Sequence, residues 1–260
     1  MNNFKIFLRN IFSTKKKKFL NKLKFCDNSY VAYCGSSYGG WSFLKNINLK
    51  NKYIISAGLG EDASFDVELI SKYNCKIISV DPTPRAIEHH REIIENSGKK
   101  NSKPYTSGGK QKITSYDLTH INNENYILIK KALFDVENQE IKFYSPQNKN
   151  YVSHSVVDFS NNNKDYIKVN TITVESILNK FNISDLEILK LDIEGAEIKV
   201  LNYILNKKIF PNQILVEYDT LKIINKETVE KFEKVHNKLL SSNYKLLKTN
   251  SPFPNFLYAR

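Results

Sequence analysis

The chain has 260 residues, 41% of them hydrophobic and 25% charged, with a net charge of +12. That balance fits one sizeable globular domain and excludes a disordered chain, while no run approaches the roughly 18 uncharged apolar residues of a membrane span. Eight basic and no acidic side chains fall within residues 1–24, leaving only +4 for the rest, which argues against a nucleic-acid enzyme with a broad basic face.

The first segment interleaves Phe4, Phe7, Leu8, Ile11 and Phe12 at helical spacing with lysines. Residues 1–24 therefore read as a basic amphipathic helix, set apart from a main domain over 25–260. Such a helix packs on its own domain or a partner, or rests on an anionic membrane surface. Arg9 and the Lys15–Lys18 run interrupt any secretory apolar core. Cys26, Cys34 and Cys75 are odd in number and lack metal spacing, so a reduced, cytoplasmic protein is expected, its basic segment able to touch the inner membrane face.

From residue 53 the pattern alternates between strand and helix. Tyr53–Ala57 predicts a strand ending in Gly58-Leu59-Gly60. A helix over 63–73 follows, with Asp62 as its cap, then a buried strand at 76–80 ending at Asp81. Thr83 is expected to cap a helix whose first residue is Pro84. Residues 97–125 are polar, with Gly108-Gly109 at their centre, and read as a long functional loop. Strand-like runs at 126–133 and 140–144 suggest a hairpin around Asn138, and 147–170 reads as a second polar, irregular insertion. A helix over 174–181, a strand over 186–191 ending at Asp192, a helix through Val200 to Leu205, a strand over 213–217 and a helix over 226–242 complete the repeat. Runs at 244–248 and 255–259 close the chain as a hairpin. The expected fold is α/β, a mostly parallel sheet with a C-terminal antiparallel hairpin and helices on both faces.

Glycines at a strand end let the backbone approach a ligand closely, and an acid closing the next strand can accept hydrogen bonds from ribose hydroxyls. Gly58, Gly60 and Asp81 thus form a nucleoside-cofactor signature. Because residues 58–63 also satisfy G-x-G-x-x-A, a nicotinamide-dependent sugar oxidoreductase competes. Against it, Glu61 and Asp62 place two anions where a pyrophosphate would sit, an arrangement that a cationic sulfonium tolerates better. Tyr218/Lys222 gives a Tyr-x-x-x-Lys match, but so do three other pairs. A third reading is a non-catalytic module that scaffolds the basic helix at a membrane.

The run Ile188-Leu189-Lys190-Leu191-Asp192-Ile193-Glu194-Gly195-Ala196-Glu197, followed by Val200-Leu201, resembles the signature of the FkbM family of methyltransferases. Ser56–Asp62 with Ser64-Phe65-Asp66, Asp81-Pro82-Thr83-Pro84, Tyr38-Gly39-Gly40-Trp41 and Ala132-Leu133-Phe134-Asp135 resemble further segments of that family. The resemblance covers roughly 36–219 and implies a class I methyltransferase, Rossmann-like fold and an S-adenosylmethionine cofactor. It further implies O-methylation of a sugar hydroxyl, on a nucleotide-linked sugar or a surface-glycan precursor. Residues expected to hold the cofactor are Tyr38, Gly39, Gly58, Gly60, Glu61, Asp62, Ser64, Asp81, Pro82, Ala132 and Asp192. Trp41, Glu194 and Tyr218 are expected on the acceptor side.

Asp192 is expected at the carboxyl edge of the sheet, where ligands of open α/β folds bind; its bland alternative is a cap for a helix starting near Glu194. Glu194 and Glu197 are spaced to share a helix face, and a divalent metal held by these acids is the lesser reading. His154, between two serines in a polar loop, would be the better proton acceptor at neutral pH if its loop reached the site.

Overall fold

In the computed structural model, residues 14–101, 103–144 and 165–260 are described. The first thirteen residues, most of the second polar insertion and His154 lie outside them. Helix α1, described over 14–20, presents buried Phe19, whose ring meets Phe232 edge-on at 5.4 Å. Strands β1 (Val31–Cys34) and β2 (Trp41–Leu44) form a hairpin, and β3 (Tyr53–Ala57), α2 (Ser64–Tyr73), β4 (Lys76–Val80), α3 (Pro84–Glu95) and β5 (Tyr126–Ile129) follow. Next come β6 (Ala132–Leu133), β7 (Glu140–Tyr144), β8 (Tyr166–Ile172), α4 (Val174–Lys180), β9 (Ile188–Leu191) and α5 (Glu197–Asn206). The chain ends with β10 (Gln213–Glu217), α6 (Lys226–Ser241), β11 (Lys245–Leu247) and β12 (Asn255–Ala259).

Seven strands make one sheet in the order β11-β12-β10-β9-β3-β4-β5, parallel from β10 to β5, with β12 antiparallel to both β10 and β11. The expected mixed sheet is present, and its hairpin lies where the last two apolar runs place it. Alternate residues of each strand feed two cores. Ile54, Ile77, Ile188 and Leu215 face the layer of α2 and α3, while Ile55, Ile78, Leu189 and Val216 face that of α5 and α6. Burial on both faces explains the continuous apolar runs. The last helix starts at a capping box: Asn225 Oδ1 accepts from Thr228 N at 2.9 Å and Thr228 Oγ1 from Asn225 N at 3.0 Å.

Three local expectations fail. The runs at 126–133 and 140–144 do not pair; β5 joins the large sheet beside β4, and β7 pairs with β8 in a separate small sheet. That pairing makes strand of the end of the second insertion, where Val169 and Thr171 alternate inward. Helix α2 starts at Ser64, and Asp62 accepts from Ser64 N without being the capping residue. Thr83 is the N-cap residue of α3 with Pro84 at the first position, as expected, though its hydroxyl donates to Asp81 and makes no hydrogen bond to the helix backbone.

Candidate active site

The chain runs from β3 outward through β4 and β5, then returns to place β9 on the other flank of β3. That reversal at the carboxyl ends of β3 and β9 is the position where open α/β sheets bind ligands. A cavity of about 400 Å³ opens there. Gly58 leaves β3 at φ +84°, and a Cβ on it would stand 1.8 Å from the carbonyl oxygen of Asp192. Only glycine allows this approach. Gly60 is also left-handed, at φ +56°, but an added Cβ would meet nothing within 4 Å, so its bare backbone faces open space.

Asp81 sets the shape of this turn. One carboxylate oxygen accepts from Leu59 N and Gly60 N, both at 3.0 Å; the other accepts from Thr83 N at 2.8 Å and Thr83 Oγ1 at 2.6 Å. Four donors fill the roughly four lone-pair directions of a carboxylate. Asp81 thus builds the wall of the site, tying the glycine turn to the start of α3.

Asp62 braces the opposite side. It accepts from Ser36 Oγ at 2.6 Å, Gln111 Nε2 at 3.1 Å and Ser64 N at 3.0 Å, and Ser36 Oγ in turn accepts from Tyr38 N and Gly39 N. Gln111 belongs to the polar segment 97–125, which therefore folds onto the glycine turn; its N–H also donates to Glu61 O at 2.9 Å. Tyr116 from the same segment is buried, accepts from Ala63 N at 3.0 Å and meets His89 Nε2 at 2.8 Å. Burial lowers the pKa of His89 to about 4. That imidazole is neutral at physiological pH and can accept a hydrogen bond from the Tyr116 hydroxyl. Glu61 is paired with Lys110 at 3.0 Å and Arg85 at 3.5 Å, so its negative charge is largely offset. The anionic-turn argument against a pyrophosphate is accordingly weaker than the sequence makes it.

The other end of the cavity is acidic. Asp192 follows β9, Glu217 ends β10, and Glu194 adopts φ +49° in the connection to α5. Lys222, in the 3-10 turn Asp219–Lys222, lies 3.3 Å from both Glu194 and Glu217 and contacts Asp219. Burial raises Asp192 to about 7, Glu217 and Glu194 adding repulsion against the pull of Lys190. Burial likewise raises Glu197 to about 7 and Asp219 to about 9. The Tyr38 phenol is raised by partial burial and by Asp192, Glu194 and Glu217; its ring lines the same cavity and rests on Gly109.

Of the expected site residues, Tyr38, Gly39, Gly58, Gly60, Glu61, Asp62, Asp81, Pro82, Ala132, Asp192 and Glu194 all line the cavity. Ser64 stands one layer behind, its hydroxyl accepting from Ser36 N at 2.7 Å. Trp41 is buried beneath Lys190, and Tyr218 is buried edge-on against Phe232 and Phe256 in the core, so neither reaches an acceptor. Asp192 does not cap the following helix, whose cap is Ala196, and the left-handed Glu194 lies before that helix and shares no face with Glu197. Among the described residues no group of three or more His, Cys, Asp or Glu could hold a metal ion. Sequence reasoning missed Lys190, Glu217, Lys222 and the aromatic wall of Phe134 and Phe143. Lys190 carried a signal, since it is a charge inside an otherwise apolar buried strand.

The family model described as the methyltransferase FkbM domain matches residues 46–246, which span every strand of the large sheet except β12 and the last residue of β11. No curated protein and no solved structure matches the chain. The match sets aside the nicotinamide oxidoreductase and the non-catalytic module in favour of an enzyme that uses a methyl donor. With its glycine turn, strand-end acid and signature run gathered around one cavity, the chain belongs to the FkbM family of methyltransferases.

Proposed function

We propose that the chain is an S-adenosylmethionine-dependent O-methyltransferase acting on a sugar hydroxyl, on a nucleotide-linked sugar or a glycan precursor. The observation that carries this reading is the continuity of the cavity, from the exposed backbone of Gly60 to the carboxylates at the ends of β9 and β10. The donor set suits the cofactor. Gly58–Gly60 and Gly39 offer backbone to its polar portions, and Val80, Pro82, Leu133 and Phe134 offer an apolar wall to a purine. Bound there, S-adenosylmethionine supplies an electrophilic methyl group.

The chain's own residues then have two tasks. Glu194 and Glu217 accept hydrogen bonds from hydroxyls of the acceptor while Tyr38 and Phe143 give aromatic surface to a sugar face. Asp192 accepts the proton that leaves the reacting hydroxyl as its oxygen gains the methyl. A carboxyl raised to about 7 matches neutral pH far better as a base than an ordinary aspartate. His154 lies outside the described residues; we assign the proton to Asp192 because it lines the cavity at the end of β9. The cytoplasmic setting and contact of residues 1–24 with an anionic membrane belong to the same proposal, flotation with acidic vesicles being their check.

Calorimetry with S-adenosylhomocysteine and transfer of labelled methyl to a panel of sugars and nucleotide sugars test this reading. Tight binding and label on a sugar oxygen are expected, with a rate that climbs as pH rises through about 7. Asp192→Asn should lose about 10²–10⁴-fold in kcat with donor affinity retained. Absence of S-adenosylhomocysteine binding, or label found only on nitrogen or on non-carbohydrate acceptors, would overturn it.

A further inference from the structure

Lys190 is only 4% exposed, in a strand buried along its whole length. An ammonium taken out of water costs several kcal/mol unless its surroundings compensate it. Its Nζ donates to Gly58 O at 2.8 Å and lies 3.4 Å from Ala57 O, the two carbonyls at which β3 gives way to the glycine turn. Asp192 Oδ2 is 3.9 Å away, and the Trp41 indole lies 5.3 Å below. The positive charge also acts on Asp66, a buried carboxyl of α2 that accepts from Ser56 Oγ at 2.7 Å and Tyr126 Oη at 3.3 Å.

We infer that Lys190 is a positioning residue of the methyl-transfer site, its buried ammonium clamping the glycine turn of the donor end to the Asp192 carboxylate of the acceptor end. Leu59 anchors the turn on one side through the core, but Gly58 can carry no side chain, so the end of the turn nearest Asp192 is held through its backbone alone. Asp81 holds the turn through its amides, whereas Lys190 holds it through its carbonyls, from the other side. The same ammonium draws Asp192 toward the seam between β3 and β9. Around Asp192 stand Glu217 from β10, Glu194 and Glu197 from the α5 approach, Lys222 from the 3-10 turn and Tyr38 from the β1–β2 loop. Three are carboxylic acids, so Lys190 keeps Asp192 ionisable near neutrality against them. The acid–base half of this inference rests on the assignment of Asp192 under Proposed function; the clamp on the turn does not.

The test compares the full-length protein with Lys190→Met and Lys190→Arg, both outside the proton-transfer step itself. In the ¹⁵N-lysine spectrum of the unliganded wild type, one slowly exchanging ammonium resonance is expected, absent from Lys190→Arg. Lys190→Met should bind S-adenosylhomocysteine about tenfold more weakly and move the acid limb of kcat up by about one pH unit, the lower bound for losing a neighbouring opposite charge. Lys190→Arg should keep the acid limb. A Lys190→Met enzyme with wild-type donor affinity and an unmoved acid limb overturns the inference, as does the absence of a protected ammonium. If donor affinity falls but the wild type shows no acid limb near 7, the clamp stands and the base assignment fails. If the wild type binds no S-adenosylhomocysteine, the functional reading fails and the ammonium resonance alone decides the clamp. Should Lys190→Met not fold, the spectrum and Lys190→Arg decide.

Discussion

The two ends of the cavity hold carboxylates in opposite circumstances. At the glycine turn Asp81 accepts four hydrogen bonds and Asp62 three, largely from backbone amides and neutral side chains. Beyond β9, Asp192, Glu194, Glu197, Glu217 and Asp219 crowd together with Lys190 and Lys222, and burial lifts three of the five acids well above the ordinary range. Donors aimed at a carboxylate fix its position, so the first end is a rigid mould. Repulsion among poorly hydrated acids leaves protons to be exchanged near neutral pH, so the second end is responsive. The same side-chain chemistry builds a frame in one place and a reactive edge in the other, because hydrogen-bond donors surround the first set of carboxylates and other acids crowd the second.

The sharpest break of this contrast is Gly58→Ala. A methyl driven into the Asp192 carbonyl, on a left-handed residue, should cost about 3 kcal/mol or more in denaturant unfolding, and both ends should fail together. A variant of wild-type stability would mean the two strand ends are not in contact. Asp81→Asn comes next. It leaves at most one acceptor oxygen for four donors, so donor affinity should fall by about 1.5–3 kcal/mol, measured with S-adenosylhomocysteine. Unchanged affinity would show that the mould does not depend on its central acid.

At the responsive end, Asp219 has a folded pKa raised to about 9, as against about 3.9 unfolded. A raised acid stabilises the fold below its unfolded value and loses that contribution as pH climbs to the folded one. Stability should therefore decline from about pH 4 toward pH 9, with Asp192 and Glu197 contributing up to about 7. Asp219→Asn should flatten the upper part of that decline, raising Tm at pH 9 by a few degrees over wild type; an identical slope would remove Asp219 from the cluster. The smallest effect is expected from Glu61→Gln, which loses pairs with mostly exposed cations at the mouth of the mould. Within about 1 kcal/mol, neither stability nor donor affinity should change.

How much of this was legible in the chain follows the same division. The parallel strands, their order with the helices and the terminal hairpin could be read because apolar runs and breaks report burial directly. Gly58, Gly60, Asp81 and Asp192 were found because each stands at a strand end, a position that sequence pattern locates. Lys222 and Glu217 were not, because their relevance comes from three-dimensional convergence of β10 and the turn after it with the β9 loop. Trp41 and Tyr218 were misplaced for a related reason: an aromatic beside a motif gives no sign of which side of the sheet it points to. The β7–β8 pairing was hidden because the intervening polar stretch masks the alternation that begins at Tyr166.

The polar segment 97–125 reaches into the donor turn itself, through Gln111 to Glu61 and Asp62 and through Tyr116 to Ala63. Segments of this kind are attractive for grafting between relatives, as cassettes that would transplant one acceptor preference onto another scaffold. Here the cassette and the scaffold share hydrogen bonds at the most constrained point of the fold. A graft that omits a glutamine and a tyrosine at those two positions would disturb the cofactor before it altered the choice of acceptor. Modular exchange in this protein has to carry the joint along with the loop.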